Sequence, residues 1–403
     1  MNDEAPSDQA DPRTGEDLHF DPESGSAGIE TTAEMATVYM HLELGGALEL
    51  HRGVASPAGY GDDAAEDEAL RHGWTLRHRM GLELLEMGGE DRVRFLNSQA
   101  TCDVKDLAPG TGVFGFFTSP KGRIEADVQV LALDDRLWLE LPPGRGEPIR
   151  ERLEKYKVID RVELESLELT SLCVAGPLAA ERLSALVGEL PAAPHGHRKV
   201  TLHGIDARLV REPSLPGGEG AGEIDIFALW IAPGDLEALL DALLDQDQGP
   251  TLIGWRTWDQ LRVEAGWSIY GIDYDGTSFP QESGHGERGV CYTKGCYLGQ
   301  EVVARIHYRG GVQRHLRRLT LLERSKSGRE LHLDGKKVGV LGTVARLTNG
   351  EYAALAIVHH KAAPGARLDV VRADTGEATG VTAVVEALDD DAASEGGAPA
   401  PNA

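Results

Sequence analysis

Residues 316–386 constrain the fold most, because they alternate short apolar runs with turn residues. The segment HLDGKKV places Asp334 and Gly335 where a two-residue hairpin turn is expected, and ADTG marks a later turn. Short strands separated by such turns are typical of a small all-β domain. The sequence therefore predicts a β-barrel or sandwich at the C-terminal side of the chain.

Residues 34–315 show a mixed pattern of helices and strands. A strand is predicted at 82–89 and a three-stranded meander at 112–141, whereas 53–70 is a Gly-, Ala- and Asp-rich stretch. Helices are predicted to start near residues 90, 147, 176, 235 and 257. The helix at 235–246 has the clearest amphipathic stripe, with Asp235 placed to cap it; the stripe consists of Leu236, Leu239, Leu240, Leu243 and Leu244. The expected class is α+β, followed by the β module.

The negative charge is concentrated near the ends. The chain has a net charge of −26, and residues 1–70 hold 17 acidic residues against two arginines. Such composition favours solvated, disordered segments over an acidic working surface. We expect acidic tails at 1–33 and 387–403, which flank the folded regions 34–315 and 316–386.

Four cysteines in 403 residues are too few for a disulfide scaffold. No apolar run is long enough to span a membrane, and the opening segment is acidic where a signal peptide would be basic and then apolar. A reduced cytoplasmic protein is expected. Cysteine ligation of a structural metal is disfavoured, because Cys102 and Cys173 lie in segments that read as core; no metal is expected.

Cys296 is the thiol that its sequence context singles out. It lies in the loop-like segment KGCYLGQE, two residues after Lys294, and a nearby cation raises the thiolate fraction of a thiol. An inert, partly buried thiol is equally compatible with the local sequence. His285 and His307 are the nearest candidate bases.

A basic island follows this loop in an otherwise acidic chain. It contains Arg305, Arg309, Arg314, Arg317 and Arg318 within residues 305–318. Such a cluster suits an anionic ligand tail or a phosphate-bearing partner, although a solvated surface that pairs with the acidic ends is the alternative.

Glu264 ends an otherwise apolar helical segment and needs a partner, since an unpaired buried charge is costly. Arg262 is one candidate partner. A ligand with an N–C–N edge is a better one, because it pairs bidentately with a carboxylate. The segment GHGERG (284–289) satisfies the dinucleotide-binding glycine pattern, but no strand precedes it and no helical stripe follows it, so that function is rejected.

Two stretches resemble a known family. KGCYLGQE (294–301) matches the signature of the YgfZ-type folate-binding proteins, and LRVEAGWSIYGID (261–273) is similar to a stretch of the wider aminomethyltransferase (glycine-cleavage T-protein) superfamily. RVRFLNSQATCDV, SPKGRIEADVQV and FPQESG agree in the same order. The resemblance covers roughly residues 75–385. True aminomethyltransferases carry a carboxylate where this chain has Cys296.

The resemblance implies a three-lobed fold with tetrahydrofolate in a central cavity and a C-terminal β-barrel. It implies that Glu264 holds the pterin, that Asp127 stands near the transferases' catalytic aspartate, and that Cys296 is the signature thiol. Lys294 is predicted to act with Cys296 as a catalytic residue, and Tyr297 is predicted to bind the cofactor. Arg305 and Arg309 would meet the glutamate tail of the folate. The implied partners are folate and iron–sulfur enzymes or cluster-assembly proteins, whereas nucleic acid and membrane are not expected.

Three hypotheses remain. The first is a tetrahydrofolate-binding accessory protein that supports iron–sulfur cluster assembly or repair, with Cys296 as a redox or nucleophilic group. The second is a folate-dependent aminomethyltransferase of glycine-cleavage type. The third is an RNA-contacting module built on the basic island, for which a steep salt dependence of binding would be diagnostic.

Overall fold

The computed structural model describes residues 32–218 and 220–386. The predicted acidic tails lie outside these residues, except that residues 32 and 33 begin the first helix. The first elements in chain order are α1 (Thr32–Glu43), β1 (Ala47–His51), β2 (Val54–Gly59), α2 (Asp63–His72), β3 (Thr75–His78), β4 (Glu83–Gly88) and α3 (Arg92–Asn97). The strand predicted at 82–89 is confirmed as β4.

Helix α2 lies in the stretch whose composition predicted no element. Three of its charged residues, Glu66, Asp67 and Arg71, are buried and paired: Asp67 accepts hydrogen bonds from Arg71, and the Glu66 carboxylate accepts from the Gly254 amide at 2.8 Å and the Thr257 hydroxyl at 2.9 Å. Because these charged residues lie on the buried face of the helix, that face is not marked by an apolar stripe in the sequence. The element was therefore missed by a composition-based reading.

The next elements complete a five-stranded antiparallel sheet, in the order β5-β6-β7-β4-β8. They are β5 (Gly112–Thr118), β6 (Ile124–Ala132), β7 (Leu137–Leu141), α4 (Gly146–Tyr156) and β8 (Glu163–Leu167). The predicted meander is confirmed by β5, β6 and β7, and the predicted helix at 147–157 by α4. Phe95, Ile149 and Leu153 from the two helices α3 and α4 share a buried core with the sheet.

A seven-stranded sheet forms the second layer, in the order β10-β11-β13-β9-β3-β14, with β12 paired to β13. Its remaining elements are β9 (Thr170–Gly176), α5 (Ala179–Val187), β10 (His197–Leu202), β11 (Ile205–Arg211), β12 (Leu215–Pro216), β13 (Glu223–Ile231), α6 (Leu236–Leu244), β14 (Thr251–Leu252) and α7 (Trp255–Glu264). The leucine stripe of α6 is buried as predicted. The capping prediction is wrong: Asp235 makes no side-chain cap, because residues 233–235 form a 3₁₀ turn and its own backbone is already helical.

Two helices, α8 (Gly286–Gly289) and α9 (Gln300–Arg309), precede the last six strands. These strands form a closed barrel in the order β15-β18-β17-β16-β19-β20. They are β15 (Arg314–Leu321), β16 (Glu330–Leu333), β17 (Lys336–Arg346), β18 (Tyr352–His359), β19 (Arg367–Val371) and β20 (Ala378–Val385). The predicted β module is thus a barrel. Asp334 and Gly335 make the predicted turn between β16 and β17, with φ of 50° and 73°.

One buried cluster, the junction core, joins the barrel to the rest of the chain. Phe116 and Ile124 come from the five-stranded sheet, Val263 from α7, and Leu316 and Leu355 from the barrel. The other members are Phe114, Tyr270, Tyr274, Val290, Val303, Ala345, Ala353 and Ile357. The barrel therefore packs as part of a shared core.

Candidate functional site

A cavity of about 170 Å³ lies where the β1–β2 hairpin, the end of β3 and helix α7 meet. Three tryptophans line it. Trp255 and Trp258 are three residues apart on α7 and so point the same way, and Trp267 follows the helix. Their flat apolar faces suit a planar ring.

The tip of the β1–β2 hairpin reaches into this cavity. Arg52 adopts a positive φ of 55° in the two-residue turn, and its buried Nε has no hydrogen-bond partner among the residues that the structure describes. His51 stacks on Trp255 at 4.7 Å between ring centroids and lies 3.1 Å from Asp259. A non-glycine residue in that conformation is uncommon and costs free energy, which marks the tip as a functional candidate.

Further polar donors beside the cavity lack partners among the described residues. They are the Nε of Arg77 and the indole Nε1 of Trp255. The guanidinium of Arg77 lies over the ring of Trp258, 4.5 Å from its centroid, and burial lowers the pKa of Arg77 to about 10. Buried donors without acceptors are costly. The cavity is therefore matched to a planar ligand that brings acceptor atoms.

Carboxylates complete the wall. Glu212 lines the cavity and, with Glu140, pairs with Arg79; the Arg79–Glu212 distance is 3.4 Å. Burial raises the pKa of both glutamates, and the charge on Arg79 opposes that rise. Glu212 is thus a carboxylate whose ionised form a new hydrogen-bond donor would stabilise.

Asp127 lies on β6, near Arg52. The hydroxyl of Tyr274 donates to Asp127 Oδ2 at 2.5 Å. Burial raises the pKa of Asp127, whereas that hydrogen bond and the charges on Arg52 and Arg288 oppose the rise. Arg288 itself is held between two rings, 4.0 Å from that of Trp267. Asp127 is thus close enough to Arg52 of the cavity wall to feel its charge, although Asp127 itself is not among the cavity-lining residues.

Glu264 is positioned elsewhere. Its carboxylate accepts a hydrogen bond from Arg71 of α2 at 2.8 Å, its side chain is 19% exposed, and it is not among the cavity-lining residues. Arg262, the partner considered from the sequence, pairs instead with Asp259 and Asp273, at 2.7 and 2.6 Å. Pterin binding by Glu264 stays a prediction, and in this structure its carboxylate already has a cationic partner.

The signature loop runs along the protein surface. Cys296 is exposed, whereas the ammonium of Lys294 donates to the backbone carbonyls of Ala100 and Cys102. Burial lowers the pKa of Lys294. Tyr297 is buried, and its hydroxyl has no partner among the described residues. Lys294 therefore anchors the loop through backbone contacts, which is a different role from activation of the thiol.

The two glycines of the signature have different structural requirements. Gly299 has a φ of +86°, and an added Cβ would lie 2.4 Å from the Ser119 carbonyl oxygen. At Gly295 an added Cβ meets nothing within 4 Å. The fold therefore requires glycine at 299 and not at 295.

The basic island is divided by the fold. Arg314 pairs with Glu282 at 2.7 Å, and Arg318 pairs with Glu386 at 2.6 Å. Arg305 and Arg309 lie exposed on α9, outside the residues that line the cavity. Their predicted contact with a glutamate tail stays untested.

Among the residues that the structure describes, neither candidate base contacts the Cys296 thiol. His285 is buried, lies 2.8 Å from the Ser268 carbonyl oxygen, and has a pKa lowered by burial to about 3. His307 stacks on Tyr292. Within residues 32–218 and 220–386, no three His, Cys, Asp or Glu side chains are grouped to hold a metal. The same residues include no helix long and apolar enough to cross a membrane.

Sequence reasoning missed the cavity wall. Arg52, Arg77 and Glu212 come from three distant segments that only the fold brings together. The sequence did contain one usable signal, the Trp255–Trp258 pair at helical spacing, because two tryptophans on one helix face indicate a large apolar surface.

Comparison with known proteins gives relatives over most of the chain. Residues 38–287 match the family model described as the GCVT N-terminal domain. A putative chloroplastic transferase of Arabidopsis thaliana is 28% identical over 294 residues, which is 72% of this chain and 66% of that protein. The tRNA-modifying protein YgfZ of Yersinia enterocolitica is 30% identical over 236 residues, 58% of this chain and 67% of that protein. The matched segments thus span about two thirds of these relatives.

The fold also has a solved counterpart. The glycine cleavage system aminomethyltransferase T from Bartonella henselae superposes with a TM-score of 0.75 at 19% identity, covering 90% of this chain and 98% of that one. At this identity the likeness establishes the fold alone. It confirms the predicted aminomethyltransferase-like architecture, including its C-terminal barrel.

Proposed function

Because the chain belongs to the GCVT N-terminal domain family, as a YgfZ-type member of the aminomethyltransferase superfamily, we propose that it is a tetrahydrofolate-binding accessory protein. In this role it supports iron–sulfur cluster assembly or repair. The iron–sulfur part is supported by the KGCYLGQE signature at 294–301. The folate part is supported by the chemistry of the cavity.

The observation that carries the proposal is the set of unsatisfied donors beside three tryptophans. A pterin ring is planar and presents keto oxygen and ring nitrogen acceptors. The rings of Trp255, Trp258 and Trp267 supply stacking surfaces, and the free Nε groups of Arg52 and Arg77 supply donors. Offset ring stacking and charge-assisted hydrogen bonds both favour such a ligand.

A pterin also presents an N–C–N edge with donor hydrogens. Glu212 is the carboxylate that lines the cavity, and its buried ionised form gains from such donors. We assign the edge to Glu212, with Glu264 as the family-based alternative. When bound, tetrahydrofolate supplies a carrier for one-carbon units, and this chain's residues supply its position.

Cys296 is the proposed reactive group of the accessory function. It is exposed on the signature loop, so a protein or small-molecule partner can reach the thiol. Several relatives are named tRNA-modifying protein YgfZ. We therefore infer that the processes this chain supports include RNA modification, with the folate cavity and the thiol as separate working parts.

The aminomethyltransferase alternative is favoured by one observation. Asp127 is buried beside Arg52 at the centre of the fold, with a raised pKa that suits a group handling a proton. The exposed thiol at 296, where transferases carry a carboxylate, favours the accessory role. Turnover of a lipoyl-bound aminomethyl donor would establish the alternative, and a lack of turnover would remove it.

Isothermal titration with tetrahydrofolate tests the cavity. The wild type is expected to bind, Glu212→Gln to bind about tenfold or more weakly because a charge-assisted hydrogen bond is lost, and Glu264→Ala to bind as the wild type does. The two variants are matched controls, since each removes one carboxylate. If only Glu264→Ala weakens tetrahydrofolate binding, the pterin edge is assigned to Glu264 instead. If the wild type does not bind tetrahydrofolate, the folate proposal is refuted.

Complementation tests the thiol. In a host that lacks its own homologue, Cys296→Ala is expected to leave iron–sulfur enzyme activities low while Cys291→Ala restores them. The purified Cys296→Ala variant should bind tetrahydrofolate normally. Full complementation by Cys296→Ala would remove the thiol from the proposal.

A further inference from the structure

Two exposed aromatic rings, those of His307 and Tyr308, lie at the C-terminal end of α9, and the half-buried ring of Tyr292 packs beside them. Tyr292 and His307 stack at 3.7 Å between centroids with an interplanar angle of 14°, and Tyr308 stands edge-on to His307 at 4.8 Å. Tyr308 is 66% exposed. We call these three residues the ring platform. A tyrosine this exposed gains nothing from burial, so its apolar face is available to a partner.

Two cations flank the ring platform. Arg305 and Arg309 are three residues before and one residue after Tyr308, so Arg305 lies on the same helix face as Tyr308. Both are exposed, and neither makes an ion pair within the part of the chain that the structure describes. Glu301, one turn before Arg305, is an acid on the same helix. The surface combines ring faces with exposed positive charge.

We propose that the ring platform with Arg305 and Arg309 binds unpaired nucleotides of a structured RNA. Every base has a face that can stack on an aromatic ring, and arginines beside the rings meet the phosphates. The bases of a duplex are stacked inside it and cannot reach Tyr308, so loops and single strands are selected. This inference rests on the proposed function, in which relatives named tRNA-modifying proteins point to an RNA client.

The net charge of −26 does not oppose such binding. At physiological salt the Debye length is about 8 Å, so charges in distant segments are screened and the local surface decides. The nearby Arg314 and Arg318 are engaged by Glu282 and Glu386, which leaves the end of α9 as the cationic part of the basic island. Nucleic acid was not expected as a partner from the sequence, and the local surface at the end of α9 argues against that expectation.

The ring platform and the signature loop belong to one stretch of the chain. Tyr292 belongs to the segment that leads through exposed Cys296 into α9, and Gly299 starts the helix. An RNA held on the ring platform therefore lies against the same stretch of chain as the thiol, on a different element from the cavity of the hairpin and α7.

Fluorescence anisotropy of the full chain with an end-labelled, unmodified tRNA transcript tests the proposal. Tyr308→Ala is expected to weaken binding about fivefold or more, which corresponds to the loss of one stacked base. The double variant Arg305→Ala/Arg309→Ala is expected to reduce the slope of log affinity against log salt by about 1.4, since each lost phosphate contact removes about 0.7. A fully paired RNA duplex should compete poorly.

Matched controls lie elsewhere on the surface. Tyr39→Ala removes a tyrosine that is 48% exposed on α1, and Arg346→Ala/Arg367→Ala removes two exposed barrel arginines. Both should leave RNA affinity unchanged, and thermal unfolding should show that all variants fold.

Absence of tRNA binding, or equal affinity in Tyr308→Ala and Tyr39→Ala, would overturn the proposal. Tetrahydrofolate titrations of the same variants separate the two proposals. Folate binding without RNA binding rejects only the RNA surface, and RNA binding without folate binding rejects only the cavity assignment.

Discussion

Arg262 is the buried cation on which the junction of α7 and the barrel depends. Its side chain is 0% exposed. It donates to Asp259 at 2.7 Å, to Asp273 at 2.6 Å and to the hydroxyl of Thr343 on β17. Asp273 in turn accepts from the Thr343 amide at 2.7 Å. Replacing Arg262 by Met keeps the volume of the stem and leaves two buried carboxylates short of their cation.

Removing one partner of a buried ion pair costs about 3–5 kcal/mol. With roughly 2 cal/mol/K of unfolding entropy per residue over the described chain, this loss lowers Tm by about 4–7 °C. Arg256→Met is the matched control on the same helix, because its pair with Glu49 is about 40% exposed on both sides and contributes about 1 kcal/mol or less. Differential scanning calorimetry at pH 7 measures both variants.

The pH dependence gives a second readout. Burial opposes ionisation of Asp259, yet Arg262 and His51 hold the pKa of Asp259 well below its ordinary range. The ionised pair therefore stabilises the wild type above about pH 4, and this stabilisation is lost as the pH falls. Without Arg262 there is less stabilisation to lose, so the difference in Tm between wild type and Arg262→Met should stay constant from pH 7 to pH 4 and narrow as the pH falls below 4. Adding Asp259→Asn should recover part of the loss. A Tm within 1 °C of the Arg256→Met control, or a gap independent of pH, would refute the reasoning.

Three further outcomes are expected. Iodoacetamide should modify exposed Cys296 in the folded protein and reach Cys102 only on unfolding, since burial raises the pKa of Cys102 to about 12; peptide mapping by mass spectrometry measures both. His285→Gln should flatten the acid side of the stability profile by about 1.4 kcal/mol per pH unit below pH 6.5, because the pKa of His285 is about 3 in the folded protein and the unfolded chain takes up the proton first; parallel urea-denaturation profiles would contradict this. Gly299→Ala should lose more than 1 kcal/mol of stability because of its positive φ, whereas Gly295→Ala should unfold as the wild type does, and equal thermal transitions for the two would contradict the assignment.

The local sequence pattern was sufficient to predict three features of the fold. The leucine stripe of α6, the meander β5–β7 and the turn at Asp334 and Gly335 are all local signals, because periodicity and turn chemistry act within a few residues. Helix α2 and helix α9 were not predicted. The first buries paired charges, and the second buries only Val303 along its whole length.

The site depended on contacts that are distant in sequence. The orientation of a helix or strand decides whether one of its carboxylates faces the cavity. Glu264 of α7 points toward Arg71 of α2, whereas Trp258 of the same helix lines the cavity. Arg52 reaches the cavity because a hairpin tip from the start of the fold folds over α7, a placement that no local pattern encodes. The signature loop was identified from sequence, but the use of Lys294 as a backbone anchor required the carbonyls of Ala100 and Cys102.

The junction core has a consequence for how the protein folds during its synthesis. Phe116, Ile124 and Val263 leave the ribosome before the barrel, whose first strand begins at Arg314. At about 5–20 residues per second, the roughly seventy barrel residues take about 4–15 seconds to synthesise. During that interval the finished sheets expose apolar surface that only the last strands can cover. A chain that stops within the barrel therefore leaves this apolar surface exposed, and we expect such a fragment to be bound by chaperones or degraded.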